Sequence, residues 1–263
     1  MNLYRKKILS SAAAALFGLG LWQAVAVIVQ AMRGVPFPTP ADCFMGLAHL
    51  LGGATFLDHN IYQHTLASCL RWTQGFGTAF CAGIIYAFAA SCLPVFRAVS
   101  MPTVEVLQLI PGLAWVPVVI LLFGLNPTAT IAIIVLTTFP IMAVSGVMGF
   151  NSVDLRYIWA GRMCGYGLGG LLRTVYLPGA LPHLLSGTRI AAGSSWRVLV
   201  AAEMVVGAGN GLGYAIIQSR WTMDYVSAFV CIIIIAALGL GLERLVLLPL
   251  ERRTLRCWGL SNA

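Results

Sequence analysis

Length without charge is what most restricts this chain. Residues 8–32, 104–123, 129–148, 184–206 and 225–248 are each close to, or longer than, the roughly 18 to 20 residues a helix needs to cross the hydrocarbon of a bilayer. In lipid the backbone has no water to bond to, so such runs must close their own hydrogen bonds as helices. Composition agrees: 59% of the 263 residues are hydrophobic and 9% charged, against about 25% charged in soluble domains. The chain reads as an all-α, polytopic membrane protein.

A net charge of +8 in a soluble protein would raise nucleic acid as a partner. Here the cations collect at the chain ends, with Arg5, Lys6 and Lys7 before the first apolar run and Arg252, Arg253 and Arg256 after the last. That is the charge bias that orients membrane helices, with membrane lipid as the surrounding partner and no nucleic acid. The seven cysteines form no CxxC, and most lie inside apolar runs, so they read as small packing residues.

The run 8–32 follows a basic cluster and contains Ala24-Val25-Ala26, which resembles a signal-peptide cleavage site, but it is longer than such signals and more spans follow. It reads as a retained helix with a cytoplasmic N-terminus. Residues 35–53 read as an external segment, with Pro36, Pro38 and Pro40 extending the chain, Asp42 capping a short helix and Gly52-Gly53 ending it. A second helix begins near His59 or Thr65 and runs to Cys92. On it Gly75, Ala79, Gly83, Ala87 and Ser91 recur every fourth residue, the small-residue ladder that lets membrane helices approach closely. The third span holds Pro111, Gly112 and Pro117 and is expected to bend or open; the fourth runs over 129–148. The fifth runs over 184–206, an external stretch over 207–224, and the sixth over 225–248. Six spans place both termini inside, with Arg97, Arg156, Arg162 and Arg173 on the same side. Three regions follow: a first helix and external segment (1–62), a core (63–250) and a cytoplasmic tail (251–263).

Between the fourth and fifth spans, residues 150–182 are polar, glycine-rich and closed by Pro178 and Pro182. No run within them can span. They read as two short helices turned at Gly165 and Gly167, which can take left-handed backbone angles, with each proline pushing its predecessor out of helix and cutting the insert from the fifth span. A cytoplasmic elbow attached to two membrane helices has the form of a lever.

The spacing Ala160-Gly161, then Gly165, then Val175-Tyr176-Leu177-Pro178 resembles the Glu-Ala-Ala loop of ATP-binding-cassette importer permeases, and residues 110–124, 177–196 and 200–216 resemble the nitrate, sulfonate and taurine branch. The resemblance extends over 63–258. It implies a type I importer permease fold of about six helices in a bacterial inner membrane. It also implies a coupling helix in which Trp159, Ala160, Gly161, Arg162, Gly165, Val175, Leu177 and Pro178 meet a cytoplasmic ATPase dimer. The implied partners are that dimer, a second permease copy or homologue and an external substrate-binding protein, with ATP and Mg held by the ATPase. Trp159 stands where the family has glutamate, and Gly161 where it has its second alanine.

Lysine is absent after Lys7, so a phosphate-binding Walker loop cannot form in this chain and any motor is a separate polypeptide. Gly207, Gly209, Gly211 and Gly213 follow a span rather than a strand and read as an external turn, not a dinucleotide loop. Neither the histidines nor any nucleophile–base set gives a metal or catalytic site, so the chain reads as a transport subunit and not an enzyme. Charge inside a span costs at least about 2.5 kcal/mol and marks a pathway or a helix contact. Arg189, Trp196 and Glu203 fall near one face of the fifth helix. Glu203 is open to two readings, a solute contact or an ion pair with Arg71. Glu105 at the cytoplasmic mouth and Ser194, Ser195 and Arg197 complete the candidate route for a small anion of sulfonate, taurine or nitrate type. The rival is a secondary carrier or channel without an ATPase, whose inverted repeats and paired broken helices are not evident in the sequence.

Overall fold

A computed structural model describes residues 2–34, 36–207 and 209–257. The side chains of Arg5, Lys6, Lys7, Arg253 and Arg256, and residues 258–263, lie outside the described residues, and with them most of the terminal charge invoked above.

The first helix, α1 (Asn2–Arg33), leads to α2 (Pro40–Leu51). Thr39 caps α2 by accepting from the Asp42 amide, while Asp42 accepts from the Thr39 amide; Asp42 is thus the third residue of a capping box and not the cap itself. This hydrogen bonding, led by the Thr39 hydroxyl, holds the Asp42 carboxyl below its ordinary pKa. A two-residue antiparallel pair, β1 (Thr55–Phe56) with β2 (His59–Asn60), sets the start of α3 (Ile61–Cys92).

The third span is broken. Helix α4 (Pro94–Leu109) and the turn and helix that follow, Gly112–Trp115 and α5 (Val116–Phe123), meet at 101°. Pro111 accounts for the corner, because it drives Ile110 to extended angles (ψ 121°) and ends α4 there. The corner fits tightly: a Cβ on Gly112 would stand 2.5 Å from Thr137 Oγ1 and 3.0 Å from Val198.

Next come α6 (Pro127–Asn151), the short α7 (Leu155–Met163) and α8 (Leu168–Leu171), and the long α9 (Leu177–Val206). The chain closes with α10 (Leu212–Thr222), α11 (Tyr225–Gly241) and α12 (Leu248–Cys257). Among the described residues, α3, α6, Ala13–Met32 and Tyr225–Arg252 are long and apolar enough to cross a membrane, and the bent pair makes a fifth. The sixth expected span is α9, which carries Arg189, Arg197 and Glu203 and starts at Leu177 rather than 184.

Helix α9 corrects another expectation. Pro178 and Pro182 do not cut the insert from the span. Pro178 occupies the first turn of α9, where no donor is needed, and Leu172–Tyr176 form a π-helical turn whose Leu172 carbonyl accepts from the Leu177 amide. The helix therefore runs on through Pro182. Much of the expected external stretch is helix rather than loop, since α10 (Leu212–Thr222) packs on α9 and α11, with Leu212 and Ala215 fully buried.

The centre is α3 against α6 against α9. The ladder makes the first contact: a Cβ on Gly83 would stand 2.5 Å from Met142 Cβ, one on Gly75 2.7 Å from Ile134, and one on Gly146 2.5 Å from Ala87 Cβ. A Cβ on Gly187 of α9 would fall 2.3 Å from Ser145 of α6. Backbones this close exchange dispersion contacts that lipid tails cannot match.

Candidate functional sites: an elbow, a cavity and a buried lock

The elbow is built from capping and one left-handed residue. Asp154 caps α7, accepting from the Arg156 amide (2.9 Å) and from Arg156 Nη2 (2.6 Å), and these hydrogen bonds hold its carboxyl below the usual 3.8. At the other end Gly165 takes φ +79°, and the Tyr166 amide reaches back to the Gly161 carbonyl at 3.1 Å. Gly167 is extended (φ −71°, ψ 179°) and caps α8, so only Gly165 of the two supplies the left-handed turn. A Cβ on Gly161 would stand 2.8 Å from Leu171 Cδ2, which is how α7 lies so close to the returning chain.

Of the residues assigned to the motor contact, Trp159, Ala160, Arg162 and Gly165 are exposed, Val175, Leu177 and Pro178 half-buried, and Gly161 buried. Leu155, Trp159 and Met163, at i, i+4 and i+8, give α7 an exposed apolar stripe. On its other side Tyr157, Ala160, Gly161, Cys164, Val175 and Pro178 line a cavity of about 640 Å³. Tyr176 anchors the elbow to the bundle, its ring set edge-on to Phe88 of α3 (6.0 Å) and Phe150 of α6 (6.1 Å).

A second cavity, of about 480 Å³, lies between α9 and the π-helical turn Leu242–Leu247. Arg189, Trp196, Arg197, Glu243 and Glu251 line it. Arg189 Nη2 is 2.8 Å from Glu243 and Nη1 3.5 Å from Glu251. Trp196 donates to the Ile235 carbonyl at 3.2 Å. Arg197 is exposed and, among the described residues, pairs with no carboxylate. Ser195 is buried and accepts from Trp72 Nε1 (2.9 Å), Ser194 is half-buried, and neither is among the lining residues. Glu105 is exposed on α4.

Glu203 lies elsewhere, fully buried near the C-terminal end of α9. Arg71 Nη1 stands 2.7 Å from its Oε1. Ser68 Oγ lies 2.8 and 2.9 Å from the two carboxylate oxygens and donates to them, and the Gly213 amide donates at 3.0 Å. Arg71 also bonds the Asn210 carbonyl (2.8 Å) and side-chain oxygen, Ser68 accepts from the Leu212 amide, and the Gly211 amide donates to His64 Nδ1 (3.1 Å). His64 Nε2 then donates to the Phe56 carbonyl at 3.0 Å. This lock fastens residues 210–213 to α3. The sequence reading reached Arg71 with Glu203 and missed Ser68, His64 and Asn210. The signal was present: His64, Ser68, Arg71 and Gly75 share the buried face that the small-residue ladder continues.

A family model described as "Binding-protein-dependent transport system inner membrane component" matches residues 79–254. The taurine transport system permease protein TauC of Escherichia coli (strain K12) is 34% identical over 232 residues, covering 86% of this chain and 83% of that protein. The bicarbonate transport system permease protein CmpB of Synechococcus elongatus is 33% identical, covering 72% of this chain and 68% of that protein. Among solved structures, a bacterial ABC transporter involved in the import of the acidic polysaccharide alginate aligns over 97% of this chain and 99% of its own, with TM-score 0.63 and 12% identity. An inward-facing MetNI methionine ABC transporter covers 73% of this chain and 93% of its own, with TM-score 0.55 and 18% identity.

Proposed function

The chain belongs to the family of binding-protein-dependent transport inner membrane components, and from that premise we propose how it works as the permease subunit of an ATP-binding-cassette importer. The core over 63–250 moves a small solute of sulfonate, taurine or nitrate type inward by alternating access. Two cytoplasmic ATPase subunits drive it, a second copy or a homologous permease completes the path, and an external binding protein delivers the solute. ATP and Mg stay on the ATPase. Both termini face the cytoplasm.

One observation carries this reading. The elbow at 150–182 is not a hanging loop, because its return limb passes through the π-helical turn directly into α9, the helix that lines the charged cavity. Force applied at Trp159, Ala160, Arg162 and Gly165 thus reaches Arg189, Trp196 and Arg197 along one rod, about 30 Å from Leu177 to Arg197 at 1.5 Å per residue. The named solutes of the relatives, taurine and bicarbonate, lend the solute class. Glu105 sits on the bent third span as the mouth residue, and Ser194, Ser195 and Glu203 hold the helix that carries the route.

The test is affinity purification of the tagged chain from gently solubilised membranes, followed by mass spectrometry. A stoichiometric ATPase that is lost when Gly165→Val distorts the elbow supports the proposal. A chain that purifies alone in every mild detergent turns the reading towards a secondary carrier.

A further inference from the structure

The exposed face of the elbow has a cross-section that specifies what can cover it. At about 100° per residue, Leu155, Trp159 and Met163 of α7 fall within an arc of about 80°. They are 60%, 58% and 89% exposed, so the protein itself leaves them uncovered. Arg162 lies about 20° beyond the Leu155 edge of that arc, and Arg156 about 20° beyond the Met163 edge. A ridge of large apolar side chains, about 12 Å long at 1.5 Å per residue, thus runs between two guanidiniums. The opposite face of α7 is taken up within the elbow, where Ile158 and Gly161 are buried.

The charge on this face has no counterpart in the chain. Residues 150–182 carry Arg156, Arg162 and Arg173 against a single acidic residue, Asp154, which Arg156 already holds at 2.6 Å. Arg162 and Arg173 are exposed. All eight acidic side chains of the protein fall among the described residues, and none is within ion-pair distance of either arginine. A partner that covers the ridge must therefore bring carboxylates, because guanidiniums taken out of water without them are costly. A bilayer fits this cross-section poorly. Interfacial helices sink roughly 5–10 Å into the headgroup boundary, and an apolar arc this narrow cannot sink so far without carrying both guanidiniums down with it. A protein groove with an apolar floor and charged walls matches it.

We infer that α7 seats in an apolar trough on the ATPase subunit whose two walls carry carboxylates, with Trp159 as the anchor on its floor. This rests on the reading of the elbow as the motor contact, and adds the surface chemistry the motor presents there. Trp159 stands midway along the ridge, where a large aromatic carries a disproportionate share of an interface's energy. The arginines act from the rim, where charge sets encounter rate, salt dependence and choice of partner. An ATPase with a basic wall at this place is rejected by like charge, so Arg156 and Arg162 make the elbow selective as well as adhesive.

The test follows the ATPase that co-purifies with the tagged full-length chain, reading its loss during a timed wash and its rebinding after it is stripped, each at low and at raised salt. Trp159→Ala is expected to speed the loss about thirtyfold or more, as removal of a central anchor predicts, while Trp159→Phe keeps most of the retention. Wild-type rebinding is expected to slow steeply as salt rises, and Arg162→Gln to slow it severalfold at low salt and flatten the salt dependence. Both side chains are exposed, so the variants are expected to fold as the wild type does, and Arg162→Gln tests the walls independently of Trp159. Retention unchanged by Trp159→Ala, or rebinding indifferent to salt and to Arg162→Gln, overturns the inference. So does protection of the α7 amides from hydrogen exchange, without ATPase, in phosphatidylglycerol nanodiscs relative to phosphatidylcholine ones, which assigns the ridge to the membrane. In each of these cases a co-purifying ATPase leaves the importer reading standing; a wild-type chain that purifies without one removes that reading, and this inference with it.

Discussion

Replacing Arg71 with glutamine tests the buried lock. The substitution leaves the Glu203 carboxylate fully buried with only the Ser68 hydroxyl and the Gly213 amide as donors. Removing one partner of a buried pair costs about 3 to 5 kcal/mol, because the charge that remains is uncompensated. For a chain of this size each kcal/mol moves the unfolding midpoint by about 2 to 4 °C, so Arg71→Gln is expected to lower it by roughly 6 to 20 °C. The double variant Arg71→Gln with Glu203→Gln removes both charges and lets two amides bond to each other, so its cost should fall well below the sum of the singles, by a coupling of up to about 3 kcal/mol. The assay is size-exclusion recovery of the tagged chain after graded heating, paired with solute uptake normalised to the surviving protein. Glu203→Gln should reduce uptake only in proportion to abundance. An Arg71→Gln midpoint within a degree or two of wild type, or strictly additive singles, refutes the structural account. Uptake lost by Glu203→Gln at unchanged abundance moves Glu203 into the solute path.

The ladder gives a paired prediction: Gly83→Ala, whose new Cβ would sit 2.5 Å from Met142 Cβ, should cost about 1 to 3 kcal/mol by overpacking. Gly77→Ala on the same helix meets nothing within 4 Å and should be neutral or stabilising by about 0.5 to 1 kcal/mol, both read as heat-recovery midpoints. In the elbow, Gly165→Val forces a branched side chain to φ +79°, and hydrogen exchange of residues 155–171 should quicken while that of α3 and α6 is unchanged. Asp154 has a depressed pKa, so its contribution to α7 is present above the ordinary 3.8 and lost as pH falls through the lower folded value. Protection of the α7 amides should be flat from pH 5 to 8 and decline only in stronger acid, and Asp154→Asn, which still caps, should remove the dependence on Arg156.

Much of the fold was legible because lipid leaves few choices. Apolar runs of spanning length had to be helices, and the four-residue repeat of small side chains named the face of α3 that meets α6 before any contact was known. The elbow was legible from Gly165, where a turn had to be made. Its junction with α9 was not. Proline was read by its local rule as a break at 178 and 182, whereas Pro178 sits where a helix tolerates it and the π-helical turn before it absorbs the misfit. Helix α10 was hidden for a different reason: its buried face meets a loop fastened by Arg71 and His64, partners about 140 residues away in sequence. Glu243, inside the expected sixth span, and Glu251, just past it, were passed over because nothing in the sequence couples either to Arg189, 54 and 62 residues away, until the fold brings them together.

The distribution of charge along α9 follows from its place in the bundle. Of the six expected spans it is among the least apolar, and it packs against α3, α5, α6, α10 and α12. A helix so enclosed meets protein more than lipid, so polar side chains on it are constrained by partners rather than by hydropathy. Each is accounted for by what it faces: Ser195 by Trp72, Trp196 by the Ile235 carbonyl, Arg189 by two carboxylates and Glu203 by Arg71 and two further donors. Arg197 alone among these lacks a carboxylate or hydrogen-bond acceptor among the described residues, and it opens onto the cavity.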